Sequence, residues 1–240
     1  MTSLADGVDR GAIGRAALRL GCAAGAILAV VVGTGLLITR TRAGTAVVDG
    51  DLALLGGLER HRTLALNELS GWGTHLASTE VVIGVGVFAG LAGAVLLRHW
   101  WPLLLMVLSV GGETQLFVWA TLLVGRARPP LPRLDGVLPP TSSFPSGHTA
   151  AAICLYGGIA AVVLLATSRW WRWPVLGIAF IAVVVVALSR LYRIAHHPSD
   201  ILGSLLLGIP WTAAVALVLA HATTAISTGP RARTPSIGSP

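Results

Sequence analysis

Long apolar runs alternate with short polar segments along this chain of 240 residues. A helix needs about 20 apolar residues to cross a bilayer core of ~30 Å. Six runs meet or approach that length and predict membrane-spanning helices over residues 20–39, 81–97, 100–124, 146–166, 173–188 and 201–220. The fifth run reaches it only with its flanking tryptophans, a residue type that favours the membrane interface.

The polar segments between the runs complete the predicted fold. Leucines recur among charged residues over 49–69, which predicts one or two amphipathic helices on the membrane surface. The proline-rich stretch 129–140 predicts a loop. We therefore expect an all-α polytopic membrane protein with six transmembrane helices and interfacial amphipathic helices between spans one and two. Its expected parts are a cytoplasmic segment (1–19), a six-helix domain (20–221) and a flexible tail (222–240).

Composition supports this class. Hydrophobic residues make up 54% of the chain and charged residues only 11%, whereas about a quarter of a soluble domain is charged. The net charge is +7 and all 17 basic residues are arginine, but they flank apolar runs and form no patch, so we expect the bilayer and no nucleic acid as partner. Both cysteines lie inside apolar runs, which argues against a structural disulfide.

Three polar segments carry candidate chemistry: Gly-Arg-Ala-Arg-Pro at 125–129, Phe-Pro-Ser-Gly-His at 144–148, and Ser-Arg at 189–190 followed by His196 and Asp200. They occupy the end of span three, the start of span four, the end of span five and the start of span six. Because successive spans alternate in direction, these four positions share one side of the membrane. The topology alone therefore predicts one composite site at one surface.

The second segment resembles a helix start that binds an anion. Ser146 is a good N-cap, Gly147 lets an anion approach the backbone, and the first N–H groups of the helix are unpaired. His148 would face the site as a general acid. A capped helix with an interfacial histidine is the alternative.

The third segment supplies a candidate nucleophile. Asp200, four residues after His196, can bind one ring nitrogen and leave the other free to attack phosphorus. A surface turn with an Asp at the helix start and a metal site are the alternatives. Arg128 and Arg190 could each be a membrane-flanking residue, but as a pair beside two histidines they favour phosphate binding.

These segments resemble the signature of the type 2 phosphatidic acid phosphatase superfamily: K-x6-R-P, then P-S-G-H, then S-R-x5-H-x3-D. The last two elements match fully, over 145–148 and from Ser189 to Asp200. The resemblance implies that His196 forms a phosphohistidine, that Asp200 orients it and that His148 protonates the leaving group. It also implies that no metal or other cofactor is needed and that the phosphate is held by Arg128, Ser146, Gly147 and Arg190.

One position departs from the pattern. The family lysine falls on Thr121, and the chain contains no lysine. Thr121 and Arg126 are further candidate phosphate ligands, because Arg126 could supply the missing charge. Glu113 lies mid-span, and we expect it to be structural, bonded to Gln115 or another helix, or to line a pocket for the lipid tail.

The distribution of arginine predicts the orientation. The side opposite the motifs concentrates arginines close to the ends of spans, which favours cytoplasmic termini and an active site on the outer face of the cell membrane. These arginines are Arg10, Arg15, Arg19, Arg98, Arg169, Arg172, Arg231 and Arg233.

The sequence thus predicts a lipid phosphate or pyrophosphate phosphatase that acts on an isoprenyl pyrophosphate, phosphatidylglycerol phosphate or phosphatidic acid. One alternative is a phosphoryl transferase of the same superfamily. Another is a non-catalytic lipid-phosphate binder or transporter, which the missing lysine suggests. The haloperoxidases that share similar motifs are soluble, unlike this chain.

Overall fold

A computed structural model of the chain describes residues 10–136 and 142–227. Eight helices lie in these residues: α1 (Arg10–Arg40), α2 (Arg42–Arg60), α3 (Leu64–His75), α4 (Thr79–Leu97), α5 (Trp101–Val124), α6 (Gly147–Ala166), α7 (Arg172–Tyr192) and α8 (Pro198–Ser227). Six of them are long and apolar enough to cross a membrane, namely α1 and α4 to α8. The predicted all-α fold with six spans is confirmed.

Some predicted boundaries need correction. Helix α1 begins at Arg10, well before residue 20, and α8 runs to Ser227, beyond the expected start of the tail at 222. Residues 1–9 and 228–240, which hold the rest of both predicted terminal segments, lie outside the described residues. The region expected to hold one or two amphipathic helices forms two, α2 and α3, each with a threonine N-cap whose hydroxyl accepts a backbone N–H.

Helix α6 lies at the centre of the bundle. It packs against α4, α5, α7 and α8, while α8 also packs against α1 and α5. Small residues on α6, among them Ala150, Ala152 and Gly158, allow these helices to approach closely. The core between them includes Leu105, Leu155, Leu207 and Val215, all fully buried.

The two short helices lie at the end of the bundle where α5 and α7 end and α6 and α8 begin. Helix α3 packs along α7, and α2 contacts α1, α7 and α8. Tyr192 at the end of α7 joins this layer, because its hydroxyl accepts the Thr63 N–H at 3.1 Å and donates to the Asn67 amide oxygen at 3.0 Å. The layer therefore covers the helix ends that carry the three polar segments.

The connection between α5 and α6 folds back on itself. Gly125 ends α5 with a positive φ of 63°, a conformation that glycine adopts without strain. The Ser143 N–H then donates to the Arg126 carbonyl at 2.7 Å, which joins the two ends of the loop.

Phe144, fully buried, anchors the end of this loop between α1 and α8. A Cβ atom on Gly35 or Gly203 would lie 2.8 or 2.5 Å from its ring, so both positions need glycine to admit the side chain. The start of α6 is thereby fixed against α8.

Candidate active site

The three polar segments meet in one cavity of about 460 Å³ at this end of the bundle. Its polar wall is formed by Arg128, Ser142, Gly147, His148, Arg190 and His196. Its other walls come from α4, α5 and α6 and are mostly apolar, with Val82, Val110, Phe117 and Ala151 among them. This convergence agrees with the prediction of one composite site, which followed from the alternating direction of the spans.

His196 is almost fully buried, and its ring orientation is fixed by a backbone carbonyl. Its Nδ1 lies 2.7 Å from the Ser143 carbonyl oxygen, which can only accept a hydrogen bond. Nδ1 therefore carries the proton, and Nε2 keeps its lone pair. The side chain that was expected to hold the ring, Asp200, lies farther away, with Oδ2 3.6 Å from Nδ1.

Burial lowers the pKa of His196 below its ordinary value, and the positive charges of Arg190 and Arg128 act in the same direction. Asp200 opposes them. The imidazole is consequently neutral at neutral pH, the form in which a ring nitrogen can act as a nucleophile.

Asp200 organises the turn around His196. Its Oδ2 accepts hydrogen bonds from the Ser143 hydroxyl and, at 2.8 Å, from the His197 N–H. Its Oδ1 lies 2.5 Å from a guanidinium nitrogen of Arg126. Asp200 therefore joins the α5–α6 loop to the start of α8, and it contributes negative charge near His196 without a direct hydrogen bond to the ring.

Arg126 lies outside the cavity, between two carboxylates. Its second terminal nitrogen is 3.0 Å from Asp51 Oδ2 on α2, and all three side chains are buried. Asp51 also accepts hydrogen bonds from the backbone N–H and the hydroxyl of Ser199, in the first turn of α8. Two carboxylates thus hold Arg126 outside the cavity, which corrects the expectation that Arg126 would compensate for the missing lysine at the phosphate.

Thr121 also lies away from the cavity wall. Its hydroxyl donates to carbonyls in its own helix, those of Phe117 and Val118, at 3.0 and 2.9 Å. Ser146, expected to cap α6 and bind phosphate, makes no side-chain cap, because its hydroxyl pairs with that of Thr149 at 3.0 Å. The backbone N–H groups of Gly147 and His148, by contrast, lie at the helix start, where no partner exists within the helix.

Two arginines of the cavity wall have side-chain N–H groups that find no partner among the described residues. Arg128 donates to the Ala195 carbonyl at 2.8 Å, and Arg190 pairs with Asp135 at 2.8 Å and donates to Thr74 at 2.7 Å. The Nε groups of both arginines are buried without a partner. Burial and, to a lesser extent, the neighbouring Arg133 lower the pKa of Arg128, while the negative charges of Asp200 and Asp135 oppose them.

Sequence reasoning missed Asp51, Asp135 and Ser143. Asp51 had a detectable signal, since it lies four residues before the buried Leu55 and so interrupts the apolar face of α2. Asp135 and Ser143 lie in the loop and carried no periodic signal. Among the described residues, no group of three or more His, Cys, Asp or Glu side chains is arranged to hold a metal ion.

Comparisons with known proteins find a matching family and two similar relatives. The model of the PAP2 superfamily matches residues 98–223. The chain is 32% identical over 166 residues to phosphatidylglycerophosphatase B of Bacillus subtilis, which covers 68% of this chain and 80% of that protein. It is also 43% identical over 70 residues to an undecaprenyl-diphosphatase of Sulfolobus acidocaldarius, covering 29% of this chain and 30% of that protein.

One solved structure has the same fold. The crystal structure of a transmembrane PAP2-type phosphatidylglycerolphosphate phosphatase from Bacillus subtilis matches with a TM-score of 0.65 and 23% identity, over 88% of this chain and 98% of the other. The family model extends from the end of α4 into α8, and it includes all three polar segments and the cavity wall that they form. The chain therefore belongs to the PAP2 superfamily.

Proposed function

We propose that this protein is a membrane lipid phosphatase that works through a phosphohistidine on His196. The observation that carries the proposal is the pairing, in one cavity, of a neutral His196 whose Nε2 is free with two arginines that keep unused N–H donors. The proposed substrates are phosphatidylglycerol phosphate, an isoprenyl pyrophosphate or phosphatidic acid. The names of the two relatives support the first two classes.

In the first step, Nε2 of His196 attacks phosphorus, and the bond between phosphorus and the leaving oxygen breaks. His148 gives its proton to that oxygen, so the lipid leaves as an alcohol, or as a lipid phosphate when the substrate is a pyrophosphate. Arg128, Arg190 and the N–H groups at the start of α6 stabilise the charge on the transferring phosphoryl group. The imidazolium that forms keeps its Nδ1–H bond to the Ser143 carbonyl.

In the second step, water attacks the phosphohistidine. His148, now neutral, accepts a proton from that water, and the bond between Nε2 and phosphorus breaks to release inorganic phosphate. His196 returns to its neutral form and His148 to its protonated form. A transferase would use a lipid or sugar hydroxyl in place of water at this step, with the same residues.

Phosphate release by the purified protein tests this function. We expect release from at least one of the three proposed lipid classes, undiminished by a chelator because protein groups alone carry the chemistry. H196A and H148A should each lower the rate at least a hundredfold. The control H61A changes an exposed histidine at the end of α2 and should leave the rate unchanged. Full activity of H196A, or loss of wild-type activity with chelator, would refute the mechanism.

Arg126 has a positioning role in this proposal. It forms ion pairs with both Asp51 and Asp200, which hold the first turn of α8 and the loop beside His196. Breaking a buried ion pair by removing one partner costs on the order of 3–5 kcal/mol, because the remaining charge stays buried.

We therefore expect R126A to lower both the thermal stability in detergent and kcat, the latter more than tenfold, with a smaller change in KM. D51N should also lower kcat, because it removes the charge with which Asp51 on α2 pairs with Arg126. The control R60A removes an exposed arginine at the end of α2 and should change neither quantity. Wild-type kcat in R126A would remove Arg126 from the positioning role.

We also propose that the cavity opens on the outer face of the cell membrane, with both termini in the cytoplasm. The distribution of arginine supports this orientation. Single cysteines can test it in a background with C22A and C154A. Because residues 133 and 168 are exposed at opposite ends of the bundle, an impermeant maleimide should label R133C, but not S168C, in intact cells. Labelling of S168C but not R133C would show that the cavity faces the cytoplasm and would contradict the proposed orientation.

A further inference from the structure

Glu113, for which the sequence offered a pocket-lining position as one alternative, lines the same cavity as the candidate catalytic groups. Along the helix it is far from Arg128, but the chain folds back after α5 and brings the Arg128 side chain to the cavity. Glu113 is only 3% exposed. Gln115, two residues later, is exposed on the outer face of α5, so the two polar side chains face different surroundings.

The fold does not use the Glu113 carboxyl group. Apart from the neighbouring Thr114, no hydrogen-bonding or ionic partner of Glu113 is found among the described residues, and the expected bond to Gln115 or another helix is not among their contacts. A carboxylate without a cation costs about 3 kcal/mol within a membrane. The carboxylic acid form, which has an O–H donor, is therefore the form that suits this site.

The depth of Glu113 corresponds to a particular part of a lipid. Phe117 contacts the start of α6, since a Cβ atom on Gly147 would lie 3.0 Å from its ring. Glu113 is four residues earlier, and thus roughly 6 Å deeper along α5. In a diacylglycerol phosphate the ester carbonyls are separated from phosphorus by about five bonds, which also spans roughly 6 Å. An isoprenyl pyrophosphate has its second phosphate and then only hydrocarbon over that distance, with no ester carbonyl.

The cavity continues into an apolar groove that could hold an acyl chain. A groove of about 140 Å³ between α4 and α5 shares Val82, Ile83 and Val110 with the cavity and is lined by apolar side chains and glycine. From the membrane surface inward, the order is phosphate-binding groups, then Glu113, then an apolar groove. A diacylglycerol phosphate presents phosphate, ester and acyl chain in that same order.

We propose that Glu113 is a specificity-determining residue that donates a hydrogen bond to an ester carbonyl of a diacylglycerol phosphate. This inference rests on the proposed lipid phosphatase function and names its preferred substrate class. The bond forms in the ground state and in the transition state, so it acts mainly through KM. A lipid without the ester leaves the Glu113 donor unpaired and binds less well.

A matched pair of substrates tests the proposal. Short-chain diacyl phosphatidic acid and its dialkyl ether analogue differ only in the two carbonyl groups. For the wild-type protein we expect kcat/KM to be about fivefold higher with the ester, a ratio typical of one hydrogen bond. E113L should abolish this ratio through KM, and E113Q should keep it because the amide also donates. The control Q115L should behave as wild type.

An equal preference for the ester in wild type and E113L would overturn the role of Glu113, as would equal values of kcat/KM for the wild type on both lipids. The comparison within the wild type needs no variant and so does not depend on the folding of E113L. If the wild type releases phosphate from neither lipid but does so from another of the three proposed classes, the proposed function stands and the inference fails. If it releases phosphate from none of the three classes, the proposed function fails instead. Equilibrium binding of the two lipids then decides the inference, with the same fivefold ratio expected and equal affinities overturning it.

Discussion

Arg126 forms ion pairs with two buried carboxylates, and the arrangement of the site depends on these two ion pairs. The three residues lie on different elements: Asp51 in α2, Asp200 in the first turn of α8, and Arg126 in the loop after α5. Three charges out of water are costly unless they are paired and hydrogen-bonded. The hydroxyls of Ser143 and Ser199 complete their bonding. Three separate parts of the chain are thereby held in one arrangement beside His196.

Much of the fold was predictable because the bilayer restricts the choices. Six apolar runs became six long helices, and the alternation of spans placed the polar segments at one end. The ends of helices were predicted less well, since α1 and α8 extend beyond their apolar parts. Boundaries of that kind depend on contacts and caps that leave no mark in hydropathy.

For the site, the sequence predicted the residues of the three motifs but not the partners that hold them in place. The positions of His148, His196, Arg128 and Arg190 around one cavity follow from the segments that carry them. The partners of these groups do not, because a carbonyl such as that of Ser143 has no residue-type signal, and the role of Arg126 depends on Asp51 in a distant helix. The position of Glu113 beside these groups likewise depends on the return of the chain after α5, which brings Arg128 to the same cavity.

In the proposed mechanism, a neutral His196, oriented by the Ser143 carbonyl, becomes transiently phosphorylated. The most direct measurement mixes the purified protein with lipid substrate carrying radiolabelled phosphate, stops the reaction within the first turnover and maps the label by peptide mass spectrometry. We expect an acid-labile, base-stable phosphoryl group on His196 that forms and decays at rates compatible with turnover. Phosphate release with no such adduct, or with label on another residue, would contradict it.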